Sequence, residues 1–191
     1  MSVALRNAND GLSLAAIADG GLGEISNMLT RMAELANQSS NSTYTTAQRS
    51  ALELEFVALG SEIERISRTT EFNGIRLLTQ TSTVTLQVGI DATTNSQIGV
   101  NTVNTTLQAL GIGNGSGALT FSLNSISVAG AVNASQNALT AVNSAINTVN
   151  TARGTVGAAE SRISSAINYL TVVRENYVAA ESRIRDADVA E

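Results

Sequence analysis

The chain has no cysteine, no proline, no histidine and no tryptophan, and every one of its 11 basic side chains is an arginine. Each absence removes a class of chemistry. Without histidine the commonest general base and the commonest metal ligand are gone. Without cysteine there are no thiol nucleophiles, disulfides or thiolate metal sites, and without lysine no Schiff base can form. The missing cysteines also fit export in an unfolded state, since no disulfide could trap the chain. The missing prolines leave nothing to force a kink in a long helix. Aromatic residues are only 3% of the sequence against 43% apolar, so the core must be built from Ala, Val, Ile and Leu. Small side chains of this kind favour closely packed helices over a cavity shaped for a ligand. A helical structural protein fits this composition, and an enzyme does not.

The charges and apolar runs that are present narrow the partners. A net charge of −5 argues against a nucleic-acid backbone. No apolar run approaches the roughly 18–20 residues that cross a membrane as a helix, and Met1 is not followed by a signal peptide. Secretion would need a route that leaves no such peptide, or a start upstream of Met1. No cofactor and no metal site is expected.

At 191 residues the length suits a single domain or bundle. Charge divides it into thirds. Residues 1–76 carry many Arg, Asp and Glu; from Leu77 to Ala152 the only charged residue is Asp91; charges return from Arg153. The first third reads as two helices. Leu22, Ile25, Leu29, Met32 and Ala36 form one apolar stripe, with Leu12, Ala16 and Ile17 continuing it upstream through Gly20, Gly21 and Gly23. The polar stretch Gln38–Thr45 breaks the pattern, and Thr45 or Thr46 caps a second helix. Leu52, Phe56, Leu59, Ile63 and Ile66 make the stripe of that helix, which ends near Thr70. Asn73–Gly74 then makes a turn.

The middle alternates. Val84, Leu86, Val88 and Ile90 would share one face of a strand, opposite Thr83, Thr85 and Gln87. Leu119, Phe121 and Leu123 repeat that pattern after a loop, Gly111–Gly117, with four glycines in seven residues. A small antiparallel sheet or hairpin pair is expected.

The last third carries the clearest signal. Val142, Val149, Val156, Ile163, Leu170, Tyr177 and Ile184 recur every seven residues, beside a column of Ala145, Ala152, Ala159, Ala166, Val173, Ala180 and Ala187. This predicts a long helix in a coiled coil or bundle, about 80 Å long if it runs from Ser135 to Asp188 at 1.5 Å per residue. Three helical stripes can be buried only against one another. The expected fold is therefore mainly α: an elongated antiparallel bundle of three long helices with a small β-hairpin region at one end. The single domain divides into N-terminal helices and turn (1–78), a hairpin and loop region (79–130) and the long C-terminal helix (131–191).

Candidate chemistry is thin. Glu53 and Glu55, like Glu62 and Glu64, stand two apart and do not face each other on a helix. Asp186, Asp188 and Glu191 lack the glycine turn and ligand count of a calcium loop. Both groups read as solvated faces. Glu62–Arg65 and Glu181–Arg185 read as surface helix pairs. The Gly111–Gly117 loop lacks the Lys and Ser/Thr ending of a phosphate loop.

Local words then add up. Arg6-Asn7-Ala8-Asn9-Asp10-Gly11 opens the first helix. Arg31-Met32-Ala33-Glu34-Leu35-Ala36 leads to Gln38-Ser39, and Glu62-Ile63-Glu64-Arg65-Ile66 to Glu71-Phe72-Asn73-Gly74. Ser161-Arg162-Ile163 and Ser182-Arg183-Ile184-Arg185-Asp186-Ala187-Asp188 stand near the other end. In this order and spacing the chain closely resembles bacterial flagellin over roughly 1–78 and 131–191.

The resemblance implies a secreted, extracellular subunit that polymerises with other flagellin subunits into the flagellar filament, served by an export chaperone and a cap protein. It further implies the outer core domain alone, without the terminal inner-core helices and so monomeric at micromolar concentration. Flagellins of the enteric type are also recognised by Toll-like receptor 5. The resemblance places the receptor contacts at Arg31, Leu35 and Glu55, with Glu24 and Gln38 beside them. Leu59 and Thr30 depart from the Arg and Gln of many recognised members, which implies weakened binding. Two alternatives differ: a hook–filament junction protein with the same terminal pattern, and a surface adhesin. Phe121 is the one aromatic residue between Phe72 and Tyr169, which leaves an adhesin few stacking platforms for sugars.

Overall fold

A computed structural model describes residues 1–89, 91, 93–125 and 127–188, with side chains described through Arg185. The elements in chain order are α1 (Ser2–Ser39), α2 (Thr46–Thr69), β1 (Glu71–Phe72), β2 (Ile75–Arg76), β3 (Thr83–Gln87), a 3-10 turn (Thr94–Ser96), β4 (Gln97–Asn101) and α3 (Val128–Asp188). The chain is mostly helical, with two short antiparallel strand pairs. It divides into two compact units. One contains residues 17–82 and 102–155, the other residues 1–16, 83–101 and 156–191. Each takes one segment of α1 and one of α3.

In the larger unit, α1 and α3 run antiparallel. Ser135 Oγ lies 2.9 Å from Ser39 Oγ, while Arg153 grips Asp19 with Nε–Oδ1 and Nη2–Oδ2 distances of 2.9 and 3.2 Å. The seam between those markers buries Leu22, Ile25, Leu29 and Met32 of α1 and Ala138, Val142, Ala145 and Val149 of α3. Phe56 and Ile63 of α2 complete the core, with Leu77, Leu78, Leu107, Ile112 and Leu123 from the connecting segments. Helix α2 starts at a capping box: the Gln48 amide donates to Thr45 Oγ1, and the Thr45 amide donates to Gln48 Oε1. Asn73 and Gly74 adopt left-handed φ values of 49° and 76°, which close the two-residue hairpin joining β1 to β2. Helix α1 passes unbroken through Gly20, Gly21 and Gly23. A Cβ on Gly21 would sit 2.9 Å from Leu78 Cδ1, so the absence of a side chain there admits the 70–78 segment.

In the smaller unit, β3 and β4 pair in register, with Val84 opposite Val100 and Leu86 opposite Ile98. Asn7 Nδ2 of α1 donates to the Gln87 carbonyl at 3.0 Å. The unit buries Ala4, Ala8, Leu14 and Ala15 of α1, Val88, Ile98 and Val100 of the hairpin, and Val156, Ala159, Ile163 and Leu170 of α3.

Several expectations need correcting. The partner of β3 is β4, and Leu119–Leu123 forms no strand. Leu119 makes one isolated bridge, to Gly113, the Thr120 amide donates to the Ile112 carbonyl, and the Leu123 amide is captured by the Glu53 carboxylate, so no continuous ladder forms. Ile90 lies outside the described residues. The upstream stripe of α1 is also different: Ala16 and Ile17 are exposed, and Ala4, Ala8, Gly11, Ala15 and Ala18 are buried instead. Spaced alternately four and three apart, these join Leu22, Ile25, Leu29, Met32 and Ala36 in one heptad seam. Finally, Tyr177 and Ile184, expected in the core, are 60% and 75% exposed. Ala187 falls outside the described side chains.

Candidate functional site

The most organised surface cluster lies in the larger unit, where α1 and α2 face each other. Arg31, on the exposed flank of the α1 seam, holds Glu55 of α2 through Nε–Oε1 at 2.7 Å and Glu34 of its own helix through Nη1–Oε2 at 2.9 Å. Arg31 and Glu55 side chains are 47% and 45% exposed. The hydrogen bond to Glu55, followed by that to Glu34, raises the already high pKa of the guanidinium, so it stays charged at every accessible pH. A fork held by two carboxylates presents a fixed cationic plane with donors to spare. Because the ions are solvated, the cluster orients Arg31 more than it stabilises the fold.

The other expected site residues divide. Glu24 and Gln38 are exposed, and Gln38 Nε2 donates to the Tyr44 hydroxyl at 2.8 Å. Leu35, in contrast, is fully buried. It stands four residues after Arg31, but the buried face of α1 is broad enough to take in both Leu35 and Ala36. The side chain expected to support Arg31 at a receptor surface belongs to the core.

The carboxylate pairs are not simply solvated faces either. Glu53 holds the Leu123 amide. Glu64 is buried, accepting from the Leu107 amide at 2.9 Å and from Arg68 Nε at 2.7 Å. Beside it Ser67 Oγ donates to the Thr105 carbonyl at 2.8 Å. Glu53, Glu64 and Ser67 anchor the 102–123 segment to α2, a role their sequence spacing did not show. Glu62 does pair with Arg65, and the hydrogen bond from Arg65 holds its carboxyl below the usual range. Glu181 and Arg185 form no such pair, although both are described. Arg49 is buried with one hydrogen bond, Nη2 to the Asn41 carbonyl at 2.7 Å; its Nε and Nη1 have no partner. Among the described residues no cluster of three or more metal-ligating side chains occurs, and no helix is long and apolar enough to cross a membrane. Asp186, Asp188 and Glu191 lie outside the described side chains.

Family comparison decides what this scaffold is. Residues 1–83 match the bacterial flagellin N-terminal helical region and residues 139–191 the bacterial flagellin C-terminal helical region, together well over half of the chain. The chain belongs to the bacterial flagellin family. It is 39% identical over 189 residues to a flagellin of Halalkalibacterium halodurans, covering 98% of this chain and 65% of that protein. Flagellin of Salmonella typhimurium is 40% identical over 112 residues, covering 59% of this chain and 22% of that protein. The chain thus spans about a fifth of the Salmonella relatives' length. Among solved structures, flagellin of Bacillus cereus superposes with a TM-score of 0.71 at 27% identity, covering 92% of this chain and 94% of that one. A putative flagellar hook-associated protein of Vibrio parahaemolyticus shares the fold at a TM-score of 0.52 and 13% identity, covering 92% and 90%.

One expectation is overturned here. The resemblance implied an outer core domain stripped of its terminal helices, but both matched regions are the family's terminal helical regions. Flagellin is a structural protein family, in keeping with the composition.

Proposed function

We propose that the chain is a structural subunit of the bacterial flagellar filament, secreted and assembled outside the cell by packing against further copies, in the service of motility. The observation that carries this reading is the match to both terminal helical regions of flagellin. The heptad seams of α1 and α3 supply the stiff helical pairing that a filament subunit under mechanical load needs. An export chaperone and a cap protein are the further partners on this reading. Electron microscopy of the full-length protein tests it: long filaments are expected, whereas short or absent polymers would favour the hook–filament junction reading.

Recognition by Toll-like receptor 5 is a second reading, supported by the Arg31–Glu34–Glu55 cluster. Arginine is a frequent interface hot spot, and here its fork is held in place before any partner arrives. Glu24, Gln38 and Glu55 flank it as polar contacts, and Leu35 drops out. Arg31→Ala is expected to weaken receptor affinity by about 2 kcal/mol with an unchanged circular dichroism spectrum. Equal binding by the two proteins would remove Arg31 from the contact.

A further inference from the structure

The glycines inside the three helices are of two kinds. At Gly11, Gly60 and Gly130 a Cβ would come within 3 Å of Leu86, Leu119 and Ser125, and Gly21 makes room for Leu78 in the same way. Close packing demands the missing side chain at each of them. At Gly20, Gly23, Gly154 and Gly157 a Cβ would meet nothing within 4 Å. Packing within the chain gives no reason for glycine there, although glycine weakens a helix interior more than any residue but proline. These glycines are not scattered. Arg153 of α3 grips Asp19 of α1, and all of them lie within about one helical turn of that pair.

We infer that α1 and α3 are built to bend together at this level. A glycine with no neighbouring side chain leaves its turn open to water and its dihedrals less restricted. The buried side chains next to the gripped pair are Ala18 and Ala152, so little apolar surface resists a change of angle. Between the two glycines of α3, Thr155 turns its hydroxyl onto the Ala152 carbonyl at 2.7 Å, sharing the acceptor of a helical hydrogen bond. The division of the chain into compact units falls at the same place, between residues 16 and 17 of α1 and between 155 and 156 of α3. The Asp19–Arg153 pair, with side chains 36% and 43% exposed, is a solvated link that keeps the two helices in register while their curvature changes.

The chain has no cysteine, so a pair of introduced cysteines carries nitroxide labels at two chosen points. Asn143→Cys with Ser164→Cys, both exposed, spans the level along α3, about 32 Å at 1.5 Å per residue. Asn133→Cys with Thr151→Cys, also exposed, spans about 27 Å of the same helix on one side of it. Pulsed electron–electron distance measurements are expected to give a wider distribution for the spanning pair than for the other. Changing Gly20, Gly23, Gly154 and Gly157 together to Ala should remove that excess width and leave the second pair as it was, which also shows that the fold is kept. In the same variant the amides of residues 20–24 and 154–158 should exchange with solvent about fivefold more slowly. A spanning pair as sharply distributed as the second pair would overturn the inference. So would excess width, or an exchange rate, that the alanines leave unchanged; the glycines would then be kept for the close approach of another molecule.

Discussion

Two stretches of α3 carry one and the same repeat and meet opposite fates. Val156, Ile163 and Leu170 are buried, while Tyr177 and Ile184, the next two positions in the same column, stand largely in water. Both stretches are helical. The difference lies in the neighbours: the hairpin and the first turns of α1 belong to the unit that buries the first stretch, and nothing in the described chain covers the second. A heptad therefore states what a helix is able to bury, and the rest of the chain decides what it does bury.

Substitutions on either side of that divide should separate most widely. Val156→Asp places an unpaired charge in the seam and is expected to cost several kcal/mol, about 3–5. Ile184→Asp should stay within about 0.5 kcal/mol of wild type, as exposed positions do. Thermal melts of dilute samples of both variants check this; equal melting temperatures would erase the comparison. A smaller loss is expected at the 102–123 segment, where Glu64 of α2 holds a backbone amide. Glu64→Ala orphans the buried Leu107 amide and should cost about 1–3 kcal/mol, read by denaturant titration, with Glu64→Gln recovering part of it. The smallest effect, of opposite sign, is expected on the exposed flank of α3. A Cβ at Gly154 meets nothing within 4 Å, so Gly154→Ala should stabilise by up to about 1 kcal/mol. A lower melting temperature would mean that this glycine serves something beyond the isolated chain.

Helix α3 was legible because a larger apolar residue recurs every seven positions from Val142 to Ile184 beside a column that is mostly Ala. The seam of α1 was only half legible. Its first heptads use Ala4, Ala8, Gly11, Ala15 and Ala18, which carry little hydropathy signal, and the eye goes instead to Leu12 and Ile17 on a neighbouring face. The alternation of Val84 and Leu86 marked β3. Its partner β4 offers only Ile98 and Val100 around Gly99, too short a pattern to compete with Leu119, Phe121 and Leu123. That last alternation was real, but its backbone groups are satisfied by Glu53 and by turns, which periodicity does not report. At the candidate site, family alignment brought Arg31 and Glu55 together. The burial of Leu35 could have been read from its place beside Ala36 at the end of the apolar stripe. The clamp formed by Glu64, Ser67 and Thr105 joins residues about forty apart, a pairing no local spacing encodes.

The seam of the larger unit has a further property. Along α3 its residues repeat as Ala138, Val142, Ala145, Val149 and Ala152, so a slide of one heptad past α1 would set Val on Val's former place and Ala on Ala's. Apolar packing alone is nearly blind to such a slip, like a ratchet with identical teeth. What distinguishes the teeth is polar. Ser39 and Ser135 share a buried hydrogen bond, with the Leu123 carbonyl 3.0 and 3.2 Å from their hydroxyls, and Arg153 closes a two-pronged grip on Asp19. Slipping one heptad would part Ser39 from Ser135 and leave the Ser135 hydroxyl only the Ala131 carbonyl of its own helix, at 2.8 Å, which costs the Ser39 hydroxyl a buried partner. A single polar residue in an apolar seam can index alignment in this way, and here two hydroxyls and a carbonyl number the positions at which the helices are allowed to stop.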